Sequence, residues 1–247
     1  MENKLEEGPQ DHFFPSPIVM IEVENRGDSY TVRIPKKELF RLKAIFQHNE
    51  YSIVGPRSHS GPLTVIDIGA NVGLYAIYMK FNDPHSVIHC FEPSPSSLAL
   101  LEENVGDIPG INLHPYGLYN GGQEADMNIH RFNTGQNSIK LKNENYTNTV
   151  SVRLKDAGNE FDKLGVDHLD VFKIDTEGCE VEILESLGYR LGWIDYTLVE
   201  YHSEKDRRQI DHLLKEFHVL GSKSEMLGSG IVKYINTRLL TALKVTC

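Results

Sequence analysis

From residue 64 onwards, short apolar runs alternate with segments whose apolar residues recur every three or four positions. Residues 64–68 (TVIDI), 86–91 (SVIHCF), 111–113, 169–174 (LDVFKI) and 196–201 (YTLVEY) are rich in β-branched and aromatic side chains. Near-continuous apolar runs of this length fit strands buried on both faces. Between them, residues 72–80, 94–106, 177–187 and 203–217 carry helix signals. Ser94-Pro95 places an N-cap residue before a first-turn proline. Ser203 precedes an apolar stripe at Ile210, Leu213, Leu214 and Phe217. Residues 219–224 and 231–236 flank Leu227-Gly228-Ser229-Gly230 as a closing hairpin. Strand–helix alternation of this kind predicts an α/β fold, with a mostly parallel sheet covered by helices on both faces.

Two regions depart from the alternation. Residues 1–17 are polar and Pro-containing, and are expected to be a loose tail. Residues 18–24 and 29–34 read as a strand pair around Asn25-Arg26-Gly27-Asp28, followed by a helical stretch over 35–47. Residues 1–60 are therefore expected to form a tail with a hairpin-and-helix extension, and 61–247 the main domain. Within it, the polar, Asn-rich residues 120–165 contain β-like runs at 126–132, 138–141 and 149–154, an inserted β excursion.

Composition narrows the function. The 247 residues, 40% hydrophobic and 24% charged, suit one α/β domain. The net charge of −10 disfavours phosphate backbones and anionic membranes, so no nucleic acid and no membrane partner are expected. Residues 170–216 hold 12 acids and 6 bases, so this stretch alone supplies −6. The polar start and the absence of an apolar run of roughly 18 residues predict a chain that is neither exported nor membrane-spanning. Cys90, Cys179 and Cys247 form neither a zinc pattern nor a disulfide framework. A cytoplasmic, reducing setting is the expectation.

The chemistry concentrates at strand ends. Asp67-Ile68-Gly69-Ala70-Asn71-Val72-Gly73 joins a strand to a helix through a glycine-containing turn. Glycine lets a ligand approach the backbone there, and Asn71 is placed to cap the following helix. The next strand ends in Phe91-Glu92-Pro93, where a carboxylate can accept both hydroxyl hydrogens of a ribose. The pair points to a nucleoside-containing cofactor. A nicotinamide-dependent oxidoreductase on a similar fold, binding a nicotinamide dinucleotide, is the alternative to an enzyme that uses S-adenosylmethionine. One of its usual glycines is replaced by Asn71, and Asp67 is a poor neighbour for pyrophosphate. The same carboxylate suits an ammonium or sulfonium group, which favours S-adenosylmethionine.

VIDIGANVGLYAIYM, VIHCFEPSP and DVFKIDTEGCEVEILESL together resemble the successive motifs of the FkbM family of S-adenosylmethionine-dependent methyltransferases. The resemblance covers roughly residues 60–202. It implies a class I methyltransferase fold, a Rossmann-like seven-stranded mostly parallel sheet closed by an antiparallel hairpin. It also implies O-methylation of a hydroxyl on a small molecule or glycan acceptor. By the same resemblance Asp67, Gly69, Asn71 and Gly73 surround the methionine portion. Glu92 and Pro93 lie at the ribose, and Gly117 and Leu118 beside the adenine.

Asp175, Glu177 and His202 are the candidate catalytic residues. Asp175 and Glu177 follow the fourth strand, where they can orient donor or acceptor. His202 follows the fifth and has the intrinsic pKa of a general base. Asp175, Glu177 and Glu200 could instead hold Mg²⁺, a possibility not favoured here. Each residue also has a structural role open to it: Asp175 and Glu177 suit a helix start, and His202 can be a surface histidine. Cys179, in a first helical turn, is a candidate for a lowered thiol pKa. Asn133 to Ser138 form a polar loop that could cover the acceptor. A non-catalytic nucleoside-binding module remains an alternative to an enzyme.

Overall fold

The computed structural model describes residues 6–7, 16–25 and 27–244. The chain runs through β1 (Glu6–Glu7), β2 (Ile18–Asn25) and β3 (Asp28–Pro35). A helical stretch follows: a 3-10 turn at Lys36–Glu38, α1 (Phe40–Leu42) and a π-helical turn at Lys43–Gln47. Then come β4 (Thr64–Ile68), α2 (Leu74–Asn82), β5 (Val87–Phe91), α3 (Pro95–Val105) and β6 (Ile111–His114). β7 (Gly117–Tyr119), β8 (Gln123–His130) and β9 (Tyr146–Asp156) precede α4 (Ala157–Leu164). β10 (Leu169–Ile174), α5 (Glu180–Leu187), β11 (Ile194–Tyr201), α6 (Glu204–Leu213), β12 (Phe217–Met226), β13 (Ser229–Asn236) and α7 (Thr237–Lys244) complete the order.

The central sheet has seven strands in the order β12-β13-β11-β10-β4-β5-β6. β11, β10, β4, β5 and β6 are parallel, and the β12–β13 hairpin closes one edge antiparallel. The seven-stranded, mostly parallel α/β architecture expected from the sequence is present. The chain moves outward from β4 to β6 and then returns to the other side of β4 at β10. The switch point, where such sheets bind ligands, therefore lies between β4 and β10.

Alternate residues of the strands face opposite layers. Val65, Ile88, Val171 and Leu198 pack under α2 and α3, while Ile66, Ile68, Phe172 and Ile174 pack against α5 and α6. The β2–β3 hairpin joins the first of these cores through Val19, Val32 and Ile34. Asn104 of α3 fastens it, accepting the Arg33 N–H at 2.7 Å and donating to the Arg33 carbonyl at 2.9 Å. Most of the tail expected to be loose lies outside the described residues; within it, Glu6–Glu7 pairs with Val19 and Met20.

The excursion over 120–165 is built from β8 and β9, with β7 added, in a three-stranded sheet of order β7-β9-β8. Two helix starts differ from expectation. α5 begins at Glu180 rather than Glu177, because Glu177 and Gly178 turn through left-handed φ values of 54° and 109°. Asn71 does not cap α2: Gly73 occupies the N-cap, and the Asn71 side chain meets Thr134 instead, Oγ1 to Oδ1 3.1 Å. Ser203 does cap α6, accepting the Asp206 N–H at 3.0 Å.

Candidate functional site

A cleft of about 620 Å³, open mouth included, lies beyond the carboxyl ends of β4, β5 and β10. Its floor is the turn after β4. Gly69 has φ 77°, and a Cβ there would meet the Asp175 carbonyl oxygen at 1.7 Å. The turn thus needs glycine both for its backbone conformation and for close contact with the end of β10. Gly73 has φ 87°, but it does not line the cleft. A Cβ on it would face Leu101 and Val105 of α3. Its role is helix packing, and its placement around the methionine portion is corrected accordingly.

Asp67 is corrected too. It is fully buried beneath the turn, with Oδ1 2.9 Å from Lys173 Nζ. The two residues are direct register partners on β4 and β10. Asp67 therefore presents no charge to the cleft and would not repel a pyrophosphate there. The signal for this pair was a lysine inside the otherwise apolar strand LDVFKI: a buried ammonium requires a counter-charge.

Glu92, Pro93, Gly117 and Leu118 line the opposite part of the cleft. Glu92 accepts the Asn71 N–H on one carboxylate oxygen and the Ser94 N–H on the other, both at 2.8 Å. Burial pushes its carboxyl up to about 7 against the pull of those two donors. Leu118 stands with Met127, Ile139 and Leu154 in an apolar slot beside it, suited to a flat ring. The Cys179 thiol reaches the same slot. Burial holds it well above its ordinary pKa, the reverse of the activation its helix position implied.

At the β10 end, four carboxylates gather around one imidazole. Asp175 and Glu177 line the cleft; neither His202 nor Glu200 does. His202 Nε2 lies 3.1 Å from Glu177 and 3.8 Å from Glu200, and its Nδ1 lies 3.6 Å from Glu180. Burial opposes its charge, yet Glu177 and Glu180 outweigh burial and raise its pKa to about 12. An imidazolium at neutral pH has no lone pair for a proton, so these surroundings fit a counter-ion better than a base. Besides Glu92, Glu200 is titratable near neutrality. Burial, then repulsion from Asp175, brings it up to about 8. Tyr51, which the sequence did not single out, donates to Glu200 at 2.8 Å and lies 3.5 Å from Asp175.

The polar loop after β8 covers the cleft. Thr134 is held by buried Glu38, which accepts its N–H at 2.6 Å and lies 3.0 Å from its hydroxyl. Arg41, beside Glu38, also lines the cleft. Both come from the stretch before the main domain.

A family model described as the Methyltransferase FkbM domain matches residues 67–224, more than half of the chain. The chain belongs to the FkbM methyltransferase family. Its match begins at Asp67 and takes in the turn, Glu92 and the carboxylate cluster, but not Arg41 or Tyr51. One relative is Methyltransferase 1 of Beauveria bassiana, 26% identical over 147 residues, which cover 50% of this chain and 57% of the relative. Another is the hexuronic acid methyltransferase AglP of Haloferax volcanii, 26% identical over 153 residues, covering 61% of this chain and 60% of the relative. The chain thus spans little more than half the length of these relatives. Among solved structures, fibrillarin from Aeropyrum pernix, in complex with natively bound S-adenosyl-L-methionine, superposes with a TM-score of 0.50 at 12% identity. That match covers 95% of this chain and 99% of the other. At that identity the likeness concerns the fold. Among the described residues no helix is long and apolar enough to cross a membrane.

Proposed function

We propose that this protein transfers the methyl group of S-adenosylmethionine to an oxygen, a hydroxyl first, of a small molecule or glycan. The observation that carries this is the layout of one continuous cleft. A ribose-competent carboxylate (Glu92) and an apolar slot lie at one end, and Asp175 and Glu177 at the other. Membership in a methyltransferase family supports it, as does the similarity to a hexuronic acid methyltransferase.

S-adenosylmethionine, when bound, supplies an electrophilic methyl on a cationic sulfur. The residues present fit it: Glu92 would hold the ribose, Leu118 and its neighbours the adenine, and Asp175 and Glu177 favour positive charge near the sulfur. What remains for the chain is to position the acceptor oxygen in line with the methyl group and to take its proton. Glu200, in its ionised form, would take the proton of the acceptor hydroxyl. Its basicity near neutrality suits that task. His202, held charged, pulls the Glu177 and Glu180 carboxyls down against their burial.

The test has two parts. Titration with S-adenosylhomocysteine and with NADH should show binding of the first alone; tight NADH binding would favour the oxidoreductase alternative. Methyl transfer to a panel of hydroxylated acceptors, hexuronic acid glycosides included, should then rise with pH through an apparent pKa near 8. That value belongs to the coupled carboxylates as a set. An inflection near 6.5 would restore His202 as the base. Activity is expected to survive EDTA, and its loss with recovery on adding Mg²⁺ would favour the metal alternative.

A further inference from the structure

A second, smaller cavity of about 320 Å³ opens off the cleft where Gly69, Asn71 and Asp175 border both. Its walls include Arg41, Tyr75 and Lys173. Two buried polar atoms in its walls make no hydrogen bond: Arg41 Nε and Tyr75 Oη. Unsatisfied buried groups in a native fold call for a partner, and here they gather where the methionine end of the cofactor would lie.

Charge decides which part of that end needs help. Asp175, Glu177 and Glu200 favour an ammonium and a sulfonium, but they repel the α-carboxylate carried by the same molecule. That carboxylate requires a cation. Lys173 is committed to Asp67 at 2.9 Å. His202 is enclosed by Glu177, Glu180 and Glu200. Among the described residues lining the main cleft, Arg41 is the only cation. Its nearest acid, Glu38, is 3.6 Å away and already engaged by Thr134. Its one hydrogen bond among the described residues is a long one, 3.3 Å to Asn133. Most of the five guanidinium donors are thus uncommitted, in the fork geometry that matches a carboxylate. Burial works against its charge, but Glu38, Asp175 and Glu200 keep it firmly protonated.

We infer that Arg41, from the helical stretch preceding the family domain, binds the α-carboxylate of S-adenosylmethionine in this cavity. The inference rests on the cofactor proposed above. It makes the 36–47 stretch part of the cofactor site, although that stretch lies outside the matched region 67–224.

The experiment compares two probes by calorimetry: S-adenosylhomocysteine, and 5′-methylthioadenosine, which has the same adenosine and thioether but no amino-acid end. Arg41→Gln should weaken the first roughly 10- to 100-fold, the expected loss of a charge-assisted carboxylate contact, and leave the second unchanged. Gly135→Ala is a second variant, acting through Arg41. A Cβ on Gly135 would meet the end of the Arg41 guanidinium at 1.8 Å and would displace it without repacking a core. It should reduce affinity for S-adenosylhomocysteine selectively and in the same direction. Equal losses for both probes, or unchanged binding of S-adenosylhomocysteine to folded Arg41→Gln, would overturn the assignment. Failure of the unmutated protein to bind either probe would overturn the cofactor proposal, and this inference with it.

Discussion

β10 and β11 carry an acid cluster at each end, and the two clusters are in opposite electrostatic condition. At their amino ends stand Asp170 and Asp195; five residues further along each chain come Asp175 and Glu200. The lower cluster is fully complemented. Asp195 receives Arg238 on one oxygen, and Ser58 at 2.7 Å and His168 at 3.0 Å on the other. Asp170 receives the Thr64 N–H at 2.8 Å and lies 2.9 Å from His59 Nε2. Burial disfavours the Asp195 charge, yet Arg238, Ser58 and His168 prevail and hold its carboxyl below the ordinary range. The ligand atoms of His59, His168 and Asp170 lie within 4.8 Å of one another. However, His59 Nδ1 accepts the Gly61 N–H, which puts the ring proton on Nε2 and leaves that nitrogen no lone pair for a metal. The upper cluster is strained instead: Glu200 is driven up to about 8, and Asp175 faces Glu200 across the Tyr51 hydroxyl. Acids at the two ends of the same strands can latch a fold or remain poised for chemistry, and what separates the two cases is how completely each acid is answered.

The largest expected effect tests that contrast directly. Glu200→Gln should lower kcat by about 10²- to 10⁴-fold, the usual contribution of a general base. It should also stabilise the fold at pH 8. The folded pKa is raised, so the contribution of Glu200 to stability is intact below its ordinary value of about 4.5 and is lost as pH rises from there toward 8. Glutamine does not titrate, and a gain of about 1–3 kcal/mol at pH 8 is expected from urea unfolding. An active, destabilised variant would erase the distinction between the two ends. Next in size is Lys173→Met, which strands Asp67 in the core. About 3–5 kcal/mol of stability should be lost, with most of it recovered in the Asp67→Leu/Lys173→Met double variant. That result would show that a complemented pair within the upper end behaves as the lower cluster does. The smallest effect belongs to Asp195→Asn. It should cost about 1–3 kcal/mol while leaving kcat/KM of the folded protein unchanged, and a fall in activity at constant fold would give the lower cluster a functional role.

What could be recognised from sequence follows the range of the interactions. The turn at Gly69, the strand-end Glu92 and the cleft positions of Pro93, Asp175 and Glu177 depend on local backbone geometry, which strand and turn patterns encode; Gly117 and Leu118 were placed by the family resemblance. Tyr51 lies 149 residues from Glu200, and Lys173 lies 106 residues from Asp67. No local pattern announces such pairs, although a lysine in an apolar strand was an available warning. Gly73 and Asp67 were placed at the ligand because the motif contains them; three-dimensional packing assigns one to α3 and the other to Lys173.

The order of apolar runs and helical stripes was enough to determine a parallel α/β sheet and the end of it that carries the cleft, since period and strand-end turns are properties of neighbouring residues. Only the tertiary structure decided which acids face the cleft, that His202 is held as a cation, and that Arg41 reaches the site from outside the matched domain. Those outcomes depend on burial and on charges brought together across the chain, and such distances do not exist until it folds.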